Sequence, residues 1–185
     1  DAILDEYLIG RATRMSREAP IPVLEFEERR LIPGGAANPA ANIAALGSSA
    51  MLVGVCGEDA DGETLRGVLR QRNIDSALVL DERPTTVKTR IMAQMGLRFP
   101  QQVARLDKVT RGAVSRKSEI LLAGRLKQHC AGANALLVSD YHVGLLTPTL
   151  VAAALHEAQA ANIPLTADAQ GDLDKYAGFS VVKCN

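Results

Sequence analysis

Short apolar runs alternate with longer helix-patterned stretches along most of this chain, and that alternation fixes its class of fold. Residues 51–55, 77–80, 135–139, 163–167 and 180–183 each read as a buried strand. Between them lie stretches of helical length. Asp61 is expected to cap a helix running to Arg72, because its carboxylate can accept unpaired amide protons. A second helix is expected over about 118–130. Thr147 followed by Pro148 is a cap-and-first-turn pair, opening a third helix to about Asn162. Strands separated by helices of this length imply parallel crossover units, and therefore an α/β sheet.

Two stretches break the rhythm. Residues 7–32 are polar, with a strand-like run at 22–26 and prolines nearby. Residues 86–106 hold two strand-like runs around Met95-Gly96, a plausible hairpin turn. Neither carries a helical pattern. Both read as a small β-lid standing off the main sheet, or equally as surface hairpins. A lid can exclude water from a bound substrate.

Composition narrows the partners. With 185 residues and 47% of them hydrophobic, the chain can bury a core. A formal net charge of zero gives no general pull toward nucleic acid or a membrane surface. No apolar run approaches the roughly 20 residues needed to span a bilayer. No signal peptide is expected, and Ala2-Ile3-Leu4 looks like the end of a strand under way, so the natural protein is expected to start earlier. Three widely spaced cysteines without a Cys-x-x-Cys pair fit buried thiols in a reducing, cytoplasmic setting.

In open α/β sheets, ligands sit at the carboxyl ends of the strands. Asp5, Asp140, Asp168 and Asn185 all come directly after apolar runs and so fall there. Each alone fits a solvated loop residue; four together mark a converging site. The densest signal is Pro33-Gly34-Gly35-Ala36-Ala37-Asn38-Pro39-Ala40-Ala41-Asn42. Paired glycines allow close backbone approach to a ligand. Asn38 is expected to cap the following helix, with Pro39 in its first position. The segment fits a ligand-facing helix N-terminus and a plain capped turn equally well. It is neither a phosphate-binding Walker loop nor a dinucleotide fingerprint.

Here the residues resemble the PfkB, or ribokinase-like, carbohydrate kinases. Gly34, Gly35, Ala36, Asn38, Ala40, Gly47 and Gly57 reproduce that family's N-terminal signature, and Gly54-x-x-Gly57-x-Asp59-x-x-Gly62 matches the family's next segment. Within the family, several segments resemble the heptose-phosphate kinases: Leu4-Asp5-Glu6-Tyr7, residues 16–23, residues 102–107 and Ser139-Asp140-Tyr141. Two positions depart. His142 stands where those kinases carry a lysine, and Asp168-Ala169-Gln170 replaces Asp-Pro-Lys; each removes a cation.

The resemblance implies a ribokinase-like parallel-sheet sandwich with a β-lid over about 7–32 and 86–106, its C-terminal part absent. It implies ATP-dependent transfer of a phosphoryl group, with Mg²⁺, to a hydroxyl of a sugar or sugar phosphate, possible acceptors including heptose 7-phosphate. The expected sugar-binding residues are Asp5, Gly34, Gly35 and Asn38. Arg90 and Arg105 either hold an anionic substrate group or solvate the lid. Asp140 and Asn185 are expected near nucleotide phosphates and the metal. The catalytic aspartate is expected beyond Asn185, and a homodimer through the lid is implied by analogy. The competing readings are a non-catalytic sugar- or nucleotide-binding module and a different α/β enzyme such as a dehydrogenase, against which the missing Gly-x-Gly-x-x-Gly turn argues.

Overall fold

The computed structural model describes residues 1–96 and 99–184. The chain runs β1 (Ala2–Met15), β2 (Pro22–Gly35), α1 (Ala37–Ala45), β3 (Met51–Gly57), α2 (Ala60–Gln71), β4 (Asp75–Asp81), β5 (Val87–Gln94), β6 (Gln101–Lys108), α3 (Arg116–Cys130), β7 (Leu136–Asp140), α4 (Pro148–Ala160), β8 (Leu165–Ala169), a 3-10 turn (Leu173–Tyr176) and β9 (Val181–Cys184). No helix among the described residues is long and apolar enough to cross a membrane.

Three hydrogen-bonded sheets result. β3 and β4 pair in parallel, as do β7, β8 and β9 in that order. The β1–β2 and β5–β6 hairpins form a separate four-stranded sheet in the order β2-β1-β5-β6. The expected parallel α/β architecture with a β-lid is what the chain adopts. Its lid strands are longer than the polar segments indicated, because β1 and β2 run without a break from the core out into the lid.

Period-two alternation assigns each face of the main sheet. Leu52 and Cys56 of β3 turn toward Leu65, Val68 and Leu69 of α2 and Ala37 and Ala40 of α1. Val53 and Val55, pointing the other way, pack with Leu122 of α3 and Leu150 of α4. Helices therefore cover both faces. Residues 65, 68 and 69 form one stripe of α2, the spacing that a helix packed on a sheet requires. A second core joins Val138, Leu165 and Ala167 to Val151, Ala154 and Ala158 of α4 and to Tyr176. The start of β1 lies between the parallel sheets: Ala2 stands over Gly54, and the Asp1 carboxylate accepts the Tyr141 N–H at 3.1 Å.

Two capping expectations are corrected. The cap of α2 is Asp59, whose carboxylate accepts the Gly62 N–H at 2.8 Å; Asp61 lies inside the first turn and pairs with Lys108 at 2.8 Å. In α1 the helix already begins at Ala37 behind Ala36, which has no capping side chain, so Asn38 and Pro39 sit within its first turn. Ser115 and Thr147 cap α3 and α4 with their hydroxyls. Between β5 and β6, Gly96 adopts φ +59°, as a tight reversal requires; residues 97 and 98 lie outside the described residues.

Asp59 does more than cap. One oxygen accepts the Thr85 hydroxyl at 2.6 Å, and the other accepts the Thr85 N–H at 3.0 Å and the Lys108 ammonium at 3.1 Å. Thr85 Oγ1 in turn accepts the Gly57 N–H at 2.9 Å. One carboxylate thus ties α2 to both ends of the β5–β6 hairpin. Burial works against its charge, but the Thr85, Gly62 and Lys108 donors outweigh it and hold its pKa well below the usual carboxylate range.

A depressed folded-state pKa adds stability that is fully present above the unfolded value, about 4, and is lost as pH falls through the folded value. Thermal melts should therefore show the wild type losing stability below about pH 4 more steeply than Asp59→Asn. Asp59→Ala should cost about 2 kcal/mol at neutral pH, from the lost cap and the stranded Thr85 donors. Parallel pH profiles for wild type and Asp59→Asn would contradict this account.

Candidate functional site

β1 sets the site by alternation. Leu4 is 1% exposed and enters the core with α1 and α2. Asp5, one residue on, faces the opposite side with Tyr7. In the antiparallel pairing Ile3 lies opposite Gly34, and Ala2 opposite Gly35.

The two glycines are required for different reasons. A Cβ on Gly34 would stand 2.5 Å from Asp5 Oδ2 and 2.6 Å from its Cγ. The carboxylate thus occupies the space a side chain would fill. Gly35 has φ +57°, and a Cβ there would stand 2.3 Å from the Asp1 carbonyl oxygen. That left-handed residue turns the chain from β2 straight into α1. α1 begins with no side chain capping its amides, and its first-turn residue Asn38 is exposed. The Asp5 carboxylate, the glycine backbone and the uncapped helix start therefore adjoin one another.

Asp5 is not left bare. Arg90 Nη1 donates to its Oδ1 at 2.6 Å, with the two side chains 21% and 15% exposed. The guanidinium carbon also stands 5.2 Å from the centre of the Tyr7 ring, a cation–π geometry. Burial works against the Arg90 charge, but the hydrogen bond and charge of Asp5 outweigh it and raise its pKa. Arg105 is more exposed and donates from Nε and Nη2 to Asp107 of its own strand, at 2.8 and 2.9 Å.

Asp140, at the end of β7, is 2% exposed and accepts from Lys175 at 2.8 Å, from the His142 N–H at 2.8 Å and from the Tyr176 hydroxyl. Burial opposes its charge; Lys175, Tyr176 and His142 outweigh that and lower its pKa. Burial, and then the bond to Asp140, push the Tyr176 phenol up. The aspartate expected near nucleotide phosphates is therefore fully engaged by its own chain. Asp168 pairs with Lys183 at 2.8 Å. Asn185 lies outside the described residues. Among those residues, no three His, Cys, Asp or Glu side chains cluster to hold a metal.

Sequence reasoning did not single out Lys88 or the Tyr141 ring. Lys88 is the direct cross-strand neighbour of Asp5 in β5, and its Nζ stands 5.0 Å from the centre of the Tyr141 ring. Burial raises the Tyr141 pKa, and the charges of Asp168 and Asp5 add to this while Lys183 opposes it. The period of two that places Lys88 and Arg90 on one face was available in the sequence. A hollow of about 520 Å³ lies elsewhere, against α4 and the 3-10 turn, lined by Leu146, Val151, Leu155 and Lys175 among others.

Comparison with known proteins shows the family and the fold. The family model described as pfkB family carbohydrate kinase matches residues 3–176. The bifunctional protein HldE of Trichlorobacter lovleyi is 38% identical over 188 residues, covering 100% of this chain and 37% of that protein. HldE of Hyphomonas neptunium is 39% identical and is 38% covered. The chain thus spans well under half the length of these relatives. Among solved structures, a possible 1-phosphofructokinase from Thermotoga maritima shares the fold with a TM-score of 0.77 at 15% identity, over 100% of this chain and 58% of that one. The tetrameric inhibited form of phosphofructokinase-2 from Escherichia coli gives 0.73 at 24% identity, over 100% and 58%.

Proposed function

The chain belongs to the pfkB family of carbohydrate kinases, and on that footing we propose that it forms the sugar-binding part of an ATP-dependent kinase acting on a sugar or sugar phosphate. The observation that carries this reading is the Asp5 carboxylate held against Gly34, with Oδ1 tied to Arg90 and Oδ2 turned toward the glycine backbone. An ionised carboxylate accepts two hydroxyl protons at once, which suits the adjacent hydroxyls of a polyol. Gly34 gives the Asp5 carboxylate its place and Gly35 turns the chain into α1, so the glycine pair shapes the floor beneath the sugar. Asn38 and the uncapped amides of α1 complete a polar floor for sugar oxygens. The segments that resemble heptose-phosphate kinases make heptose 7-phosphate the first acceptor to test.

Transfer of a phosphoryl group depends mainly on positioning and on charge stabilisation. ATP supplies that group when bound, and Mg²⁺ offsets its charge. The described residues offer no three-ligand metal cluster, and Asp140 is committed internally, so the work assigned to these residues is binding and orienting the acceptor. The unpaired cysteines, two of them buried, support a reducing cytoplasmic location, and the balanced charge supports a small-molecule partner rather than nucleic acid or membrane.

A homodimer through the lid is part of this reading. Phe26, Val103 and Leu106 are exposed on lid strands at 69%, 46% and 69%, an apolar presentation that a second lid would cover. Sedimentation of the full-length protein at micromolar concentration should give a dimer, and Phe26→Asp should shift it toward monomer. A wild-type monomer under those conditions would remove this part.

For the site, Asp5→Ala in the full-length protein should weaken acceptor binding by about 1.5–3 kcal/mol, the range for hydrogen bonds to a charged group. Calorimetric titration with heptose 7-phosphate checks this, and unchanged affinity in a folded variant would refute the role of Asp5.

A further inference from the structure

One face of the lid carries a regular arrangement of charge. Across β1, β5 and β6 the cross-strand register sets Asp5 beside Lys88 beside Asp107, and in the next row Tyr7 beside Arg90 beside Arg105. Residues directly opposite on neighbouring strands project to the same side. The simplest outcome would be Lys88 neutralised by the carboxylates on either side of it. The structure does otherwise. Asp5 is taken by Arg90 at 2.6 Å, and Asp107 by Arg105 through two hydrogen bonds. Among the described residues, Lys88 makes no hydrogen bond and no ion pair. Lys88 is partly buried as a residue, and its ammonium rests over the Tyr141 ring instead.

An ammonium held over an aromatic face is oriented without being neutralised. Lys88 therefore stands beside Asp5 in the cross-strand row without a hydrogen-bonded counter-ion among the described residues, at the boundary between the lid and the end of β7. Arg90 and Arg105, for which either an anionic substrate group or plain solvation of the lid was expected, are paired with Asp5 and Asp107, and two positions where similar kinases carry lysine are His142 and Gln170 here.

We propose that Lys88 is the specificity-determining cation of this site: it receives the phosphate of a sugar phosphate and so selects phosphorylated over neutral acceptors. A phosphate ester gains a charge-assisted hydrogen bond from the ammonium, which a neutral sugar does not. This inference rests on the kinase reading and names the substrate class within it.

The test compares heptose 7-phosphate with unphosphorylated heptose, titrated calorimetrically into full-length wild type, Lys88→Met and Lys88→Arg. Lys88→Met should weaken heptose 7-phosphate at least about tenfold while changing heptose by no more than about twofold. Lys88→Arg, which keeps the charge, should retain most of the preference for the ester. Equal weakening of both ligands in Lys88→Met would assign Lys88 a structural role and overturn the proposal, as would no weakening of either. Asp5→Ala separates the two levels. If wild type binds both probes with Asp5 required and Lys88 not, only this proposal fails. If wild type binds neither, the kinase reading fails and takes the proposal with it.

Discussion

The Asp5 carboxylate can stand where it does only because residue 34 has no side chain, and most of the site depends on that one contact. A methyl group at Gly34 would meet the carboxylate at 2.5 Å, well inside van der Waals contact. The bare glycine lets the charge sit close to the β2 backbone, and the left-handed turn at Gly35 then starts α1 immediately beside it. Arg90 fixes the carboxylate from the other side. Removing one member of such a partly buried pair strands the other charge, so each holds the other in place. A fixed carboxylate next to bare backbone and free helix amides is suited to a ligand rich in hydroxyl groups.

The lid is useful only if it is held in register with the core. β1 and β2 provide one continuous connection. The second hairpin depends on Asp59, which joins the start of α2 to Thr85 just before β5 and to Lys108 at the end of β6. The family-like segment Gly54-x-x-Gly57-x-Asp59-x-x-Gly62 is thus a fastening for the hairpin that carries Lys88 and Arg90. Charge placement on the lid face depends on this fastening, because the cross-strand rows exist only while β5 stays paired to β1.

Much of this was legible in the sequence, where local rules decide. Apolar runs found the core strands to within a few residues, and Thr147-Pro148 found the start of α4 because cap chemistry is local. The glycine pair was recognisable from the family signature and Asp5 from the resemblance of Leu4-Asp5-Glu6-Tyr7; the strand-end expectation for Asp5 is corrected, because β1 runs on through Asp5 to Met15 and leaves it inside the strand. What failed depended on distant partners. Asp59 and Asp61 are both reasonable caps by sequence; Thr85, far along the chain, selects the first. Asn38-Pro39 looked like a cap and first turn, but the positive φ of Gly35 reverses the chain earlier and places both residues inside the helix. The expectation for Asp140 is of another kind: its place at the end of β7 was legible, and the fold adds Lys175 and Tyr176 as partners that the sequence does not show. The lid strands were underestimated because both of their faces carry polar residues, which erases the alternation that reveals a half-buried strand.

The central claim is that a polyol binds with its hydroxyls on Asp5, above Gly34. A crystal structure of the full-length protein soaked with heptose 7-phosphate tests it most directly. Two sugar hydroxyl oxygens within hydrogen-bonding distance of the Asp5 carboxylate, with the ring beside the start of α1, is the result predicted. A sugar seated elsewhere, with the Asp5–Arg90 pair undisturbed and facing solvent, would contradict it.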